Sequence, residues 1–295
     1  MLSKFKINKK IILSFMVIIL FIVGIYVVPF RGYMLENTEE DSIDLPIIMY
    51  HGISKSTKCQ GRYVISPQEF ESDLKYITEN GYHTVFIDDV INYAYSNADL
   101  PEKPIMITFD DGYYNNYLYA FPLLQKYNCK MVLSPIGKYT DLYSDIEDKN
   151  PDYAHCTWDN INEMLKSGLI EVENHSYDMH TINKKDGRNG AKKIKGESLE
   201  HYKKFLVADI MKMQDDIKEK TGVQAQAFTY PFGAIINDSL DIMRDLGFKT
   251  VLTCEGKINK ITHNPDSIKK LNRFIRPHNV STEKLFDRIS KNRNF

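Results

Sequence analysis

Two segments hold side chains whose types and spacing suit shared chemistry. The first is Thr108-Phe109-Asp110-Asp111-Gly112, where two adjacent carboxylates close an apolar run and a glycine follows. Two aspartates at the end of a buried strand are costly unless a cation or proton neutralises them. Gly112 lets the backbone turn there. Alone, the pentapeptide fits equally a turn whose Asp side chains cap a helix. The second segment is His175-Ser176-Tyr177-Asp178-Met179-His180. Histidines at this spacing fall on opposite faces of a strand, or roughly 140° apart on a helix. Neither geometry chelates, but a strand end followed by a turn can. One Asp with two His gives three protein ligands and leaves a position for water, the pattern of a catalytic zinc site. Such a metal acidifies its water and polarises a carbonyl. The other Asp can then take the water's proton.

Both segments follow strand-like runs, Ile105 to Phe109 and Leu169 to Glu173. Further short apolar runs read as strands: Leu45 to Tyr50, His83 to Ile87, Lys130 to Ser134, Ala227 to Tyr230, Lys249 to Thr253 and Leu271 to Ile275. Between them lie helical patterns. Ser66-Pro67-Gln68-Glu69 opens one that ends near Gly81. Tyr114 to Tyr127 is helical with a kink expected at Pro122. Trp158 to Lys166, His201 to Lys220 and Asp238 to Leu246 complete the set, while Ser144 to Asp152 and Asn183 to Gly196 read as loops. Strands alternating with helices imply a parallel sheet. The expected fold is α/β, a distorted (β/α) barrel of about seven strands. Barrel active sites gather at the carboxyl ends of the strands, where both motifs fall.

Lys4, Lys6, Lys9 and Lys10 precede an uncharged apolar run from Ile11 to Val28. As a helix it spans roughly 27 Å, close to a hydrocarbon core of about 30 Å. The lysines keep their end in the cytoplasm, so the remaining chain faces outward. The expected organisation is an anchor over 1–31, a polar linker over 32–44 and a catalytic domain over 45–295. A cleaved signal peptide, giving a secreted protein, is the competing reading. With 38 basic and 39 acidic residues, net charge −1, no global field draws nucleic acid. The four cysteines contain no C-x-x-C pair, which argues against a cysteine zinc cluster. Cys129 and Cys254 read as small buried hydrophobes.

With these motifs in place, the chain resembles the polysaccharide deacetylases, carbohydrate esterases with the NodB homology domain. The resemblance runs from Leu45 to Phe286. It rests on Pro46-Ile47-Ile48-Met49-Tyr50-His51-Gly52, the two motifs above, Phe228-Thr229-Tyr230-Pro231-Phe232-Gly233 and Leu271-Asn272-Arg273-Phe274. It implies Asp110 as catalytic base, with Asp111, His175 and His180 as metal ligands. The implied metal is Zn²⁺ first, with Co²⁺ or Ni²⁺ as other fits. It also implies an oxyanion donor at the backbone N–H of Phe232. The wider histidine spacing resembles the branch acting on poly-β-1,6-N-acetylglucosamine.

There are departures from the family pattern. The third motif often carries an Arg two residues before its proline; Thr229 stands there, leaving Arg273 or Arg276 to orient the base. Trp158 does not match the family's tryptophan-bearing motif. His278 and His51 both compete for general acid. Tyr113, Tyr114, Tyr177 and Tyr230 are candidates to stack on sugar rings.

The implied activity is removal of N-acetyl groups from N-acetylglucosamine units of a cell-surface or secreted polysaccharide, with release of acetate. The implied partners are that polymer and the membrane, with no nucleic acid and no obligate protein partner. A catalytically inactive glycan-binding protein of the same fold is the alternative, prompted by the missing arginine. An Fe(II) oxygenase, which also uses two His and a carboxylate, lacks its usual His-x-Asp/Glu pair here.

Overall fold

The computed structural model describes residues 42–96, 98–146, 148–183, 187–233 and 235–292. The apolar runs become parallel strands: β1 (Ile47–Tyr50), β2 (Pro104–Asp111), β3 (Met131–Pro135), β4 (Ile170–Val172), β5 (Ala227–Thr229), β6 (Thr250–Leu252) and β7 (Phe274–Ile275). Hydrogen-bonded pairing runs β7-β1-β2-β3-β4, and separately β5-β6. Two parallel bridges join these pieces, Asn174 to Phe228 and Leu252 to Leu271. The seven strands therefore form one ring, the barrel the sequence led us to expect.

Alternation along β2 explains how the ring is filled. Ile105, Ile107 and Phe109 pack outward with Phe70, Leu74, Leu124, Ile161 and Leu285 of the surrounding helices. Met106 faces inward with Ile47, Val132, Ala227 and Leu252, each from a different strand. A strand buried on both faces reads as a continuous apolar run, as β2 does. Opening this interior with Leu252→Ala is expected to cost about 2–5 kcal/mol. Thr108 and Asp110 share the inward face of β2, which aims the first carboxylate at the barrel's axis.

The helices are α1 (Pro67–Glu79), α2 (Ile87–Ser96), α3 (Phe121–Tyr127), α4 (Gly137–Asp145), α5 (Trp158–Lys166), α6 (Leu199–Thr221), α7 (Asn237–Asp245) and α8 (Thr282–Ser290). Ser66 caps α1 in a full capping box with Glu69, and Gly222 ends α6 in the left-handed conformation.

Several expectations are corrected. His83 to Ile87 is strand only at His83–Thr84, and Ile87 instead opens α2. Pro122 does not kink a continuous helix. It stands in the first turn of α3, and the preceding Asn116–Ala120 widens into a π-turn, where the Phe121 N–H reaches the Asn116 carbonyl. Helix α4 covers part of the stretch read as loop. Ile43 and Asp44, expected in the linker, join Leu45 in an antiparallel strand against Asn259–Ile261. The described residues fall in one unit, Ile43–Phe295, apart from Ser42. The proposed anchor over 1–31 lies outside the described residues. Among the described residues, no helix is long and apolar enough to cross a membrane.

Candidate active site

Asp110, next to last in β2, faces a fully buried Arg273 from just before β7. The guanidinium donates from Nη1 to Oδ1 at 2.6 Å and from Nη2 to Oδ2 at 2.8 Å. It also donates from Nε to the Thr253 carbonyl, so its plane is fixed. Burial raises the Asp110 carboxyl pKa, but the charges of Arg273 and His175 outweigh this and hold it below the usual range. Asp110 is therefore an anion across the neutral range. His51 lies on its other side, Nε2 to Oδ2 4.0 Å. Burial holds the His51 imidazole below its ordinary value, against the pull of Asp110, so the ring is neutral at neutral pH.

Asp111 turns away from its neighbour because its backbone is left-handed, with φ 68°. Such a conformation in a non-glycine residue stores strain, which concentrates at functional sites. Gly112 follows at φ 71°, and a Cβ there would lie 2.7 Å from Cβ of Pro135. Only glycine fits this turn.

The second motif behaves as a strand end and a turn. After β4 the chain reaches His175 and then Ser176 at φ 72°. Asn174 accepts the Ser176 N–H, and Asp209 of α6 accepts the N–H groups of Tyr177 and Asp178. That turn brings both imidazoles to Asp111: Nε2 of His175 lies 3.4 Å from its Oδ1, and Nε2 of His180 3.3 Å.

Ligand atoms of Asp111, His175 and His180 all lie within 4.8 Å of one another. Oδ1 of Asp111 and Nε2 of His175 are buried and make no hydrogen bond. Nδ1 of His175 sits 2.8 Å from the Thr229 carbonyl. A carbonyl only accepts, so Nδ1 carries the proton and Nε2 presents its lone pair inward. Two imidazole nitrogens and a carboxylate oxygen, two of them orphaned, fit a divalent cation with an open position. Burial raises the Asp111 carboxyl, but the three neighbouring imidazoles, His175 first, drive it far below the usual range. Burial and the nearby His175 lower His180 to about 4. A cavity of about 320 Å³ opens over these groups.

The profile of the family described as polysaccharide deacetylase matches residues 97–251, just over half the chain. The chain belongs to that family. Among curated proteins it is similar to poly-beta-1,6-N-acetyl-D-glucosamine N-deacetylase of Escherichia coli (strain K12). The two are 22% identical over 258 residues, covering 82% of this chain and 38% of that protein. The chain thus spans little more than a third of that relative's length. It is 29% identical to the putative polysaccharide deacetylase YxkH of Bacillus subtilis (strain 168), over 73% of this chain and 66% of that protein. Among solved structures it is similar to IcaB from Ammonifex degensii, with TM-score 0.66 and 27% identity over 79% of this chain and 91% of the other. The de-N-acetylase from Aggregatibacter actinomycetemcomitans shares the fold, with TM-score 0.71 and 24% identity over 83% and 99%.

Within the site, the structure separates the candidates. Arg273, not Arg276, reaches Asp110. Arg276 is committed to Asp73 at 2.6 Å. With Arg273 in place, the ground for an inactive protein disappears. His278 pairs with Glu69 at 2.7 Å and does not line the cavity, whereas His51 does. Tyr230 is wholly buried, its hydroxyl donating to Ser239, and cannot touch a sugar in this conformation. Tyr177 donates to Asp141. Neither Tyr177 nor Tyr114 lines the cavity, but Tyr113 does. Phe232 lies on the rim at φ 58°, 44% exposed, its ring 4.3 Å from that of His180.

Sequence reasoning missed three residues. Tyr63, 49% exposed, stands on the rim with its ring 4.8 Å from His51. His155 sits behind the site with Nδ1 3.0 Å from the Asp111 carbonyl. Asp209 braces the histidine turn. No local motif marks any of them. All four cysteines are free, and Cys129 is buried as expected. Cys254 instead lines the cavity, Sγ 3.6 Å from Sδ of Met49.

Proposed function

We propose that this chain is a metal-dependent N-deacetylase of a poly-β-1,6-N-acetylglucosamine-type polysaccharide. The observation that carries the reading is the cluster of Asp111, His175 and His180, with Oδ1 of Asp111 and Nε2 of His175 orphaned, set beside an ion-paired Asp110. The names of the E. coli and Staphylococcus aureus (strain MRSA252) relatives, the latter 24% identical over 71% of this chain, support the substrate. The apolar run Ile11 to Val28 supports an outward-facing enzyme on a membrane anchor.

Asp111, His175 and His180 would hold the cation. Zn²⁺ suits this donor set, and Co²⁺ or Ni²⁺ fit it too. When bound, the cation supplies Lewis-acid polarisation of the acetamide oxygen and an acidified water. The residues do the rest. Asp110, kept anionic by Arg273, takes the proton of the attacking water. His51, neutral beside it, relays the proton that Asp110 has taken from the water to the leaving nitrogen. The backbone N–H of Phe232 stabilises the oxygen that gains charge. The Tyr63 and Phe232 rings offer apolar faces to the sugar.

The test is acetate release by the purified full chain from poly-β-1,6-N-acetylglucosamine, peptidoglycan and chitin oligomers, with and without chelator. Chelator-sensitive release, greatest from the β-1,6 polymer, is expected. Release from none of them would refute the reading.

A further inference from the structure

A second cavity, about 270 Å³, adjoins the first and shares Val64 and Tyr113 as walls. Its floor is built rather than incidental. The buried Asn115 side chain accepts the Ile53 N–H at 2.9 Å and donates to the Pro151 carbonyl at 2.9 Å. That clamp ties the 52–54 segment to the 151–152 loop across the cavity. The loop presents Asp152, whose Oδ1 accepts from the buried Ser54 hydroxyl at 3.1 Å.

Charge distinguishes Asp152 from the other carboxylates of the joined cavities. Asp110 is paired with Arg273, and Asp111 faces the imidazoles. No Lys, Arg or His pairs with Asp152 among the described residues. A second oxygen of this oriented carboxylate is open to a cation. The proposed reaction makes one, because each acetamide removed leaves an amine that is protonated at neutral pH. On a polymer, that ammonium sits one sugar away from the next acetamide.

We propose that the Gly52–Asp152 cavity is a subsite for a glucosamine residue adjoining the sugar under attack, with Asp152 reading its ammonium group. This rests on the deacetylase reading and adds a preference to it. Partly deacetylated stretches become the better substrate, so deacetylation proceeds in runs. An exposed ion pair contributes up to about 1 kcal/mol, which sets the preference at about threefold to fivefold. Added salt should weaken it.

The experiment uses two β-1,6-linked tetrasaccharides, one fully N-acetylated and one with a single internal glucosamine. Acetate release gives kcat/KM for each, and mass spectrometry locates the sugar attacked. The expected wild-type result is about a threefold to fivefold preference for the mixed tetramer, with attack beside its glucosamine. In Asp152→Asn the ratio of the two should fall to about one. Equal wild-type rates, or a preference that survives in Asp152→Asn, would overturn the subsite and leave the deacetylase standing. Acetate from neither tetramer would remove both.

Discussion

Arg273 grips both oxygens of Asp110, at 2.6 and 2.8 Å, across 163 residues of chain. The pair closes the end of β2 against the residue just before β7 and fixes the charge of the candidate base. Arg273→Lys keeps a charge but loses the planar fork. We expect kcat to fall about 10- to 100-fold. Arg273 depresses the Asp110 pKa, so weakening it lets the pKa rise. The active anion is then lost at higher pH, and the acid limb of the pH–rate profile should move upward. A profile displaced downward would contradict this.

His51 and His278 can be told apart by what each loses. His51→Asn should lower kcat by about 10²- to 10⁴-fold with little change in Tm. His278 instead holds Glu69. His278→Asn should lower Tm slightly, for a loss of about 1 kcal/mol or less, and spare kcat. Acetate-release kinetics beside thermal melts check both; a rate loss confined to His278→Asn would reverse the assignment.

His155 lies between Tyr113 and Tyr139, with ring centroids 4.7 and 4.6 Å away. Its bond to the Asp111 carbonyl supports the left-handed backbone that aims the carboxylate. His155→Phe keeps a ring but loses the donor, and metal affinity should drop about 10- to 100-fold. His155→Asn restores a donor near Nδ1 and should recover part of the loss. Competition with a chromogenic chelator measures both; unchanged affinity in His155→Phe would show that the residue only packs.

Glu171 of β4 accepts the N–H groups of Ile87 and Asp88 at 2.6 and 3.0 Å, where α2 begins. Burial, then the Asp88 charge, push its carboxyl up to about 8 from an ordinary 4.5. Glu173, wholly buried, shifts the same way. A raised carboxyl contributes stability fully below its unfolded pKa, and that stability is lost as pH rises through the folded value. Burial lowers His51, His155 and His180, which act in the opposite sense below pH 6.5. The clean quantity is therefore a difference. The Tm of Glu171→Gln relative to wild type should rise steadily between pH 4.5 and 8. A flat difference would refute the shift.

What could be read from the chain was what local order encodes. The β2 run, its Asp-Asp-Gly end and the turn carrying His175 and His180 were visible because periodicity and adjacency place them. Helix α5, with its Thr157 cap, matched residue for residue. Long-range choices were not visible. Nothing near Asp110 says whether Arg273 or Arg276 will reach it, because Asp73 decides by holding Arg276. Tyr230 looked like a sugar platform, but just past β5 its ring packs into the core against Phe228 and its hydroxyl bonds Ser239. Val85, Phe86 and Ile87 read as a strand, although the Ile87 N–H is claimed by Glu171 as the start of α2. Tyr63, His155 and Asp209 act through neighbours distant in sequence, which no spacing rule reaches.

The proposed chemistry turns on a cation shared by Asp111, His175 and His180. Elemental analysis of purified full-length chain tests it most directly, comparing wild type with Asp111→Ala and His175→Ala variants that remain folded. One equivalent of divalent metal is expected in the wild type and almost none in either variant. Metal retained undiminished in both variants would contradict it.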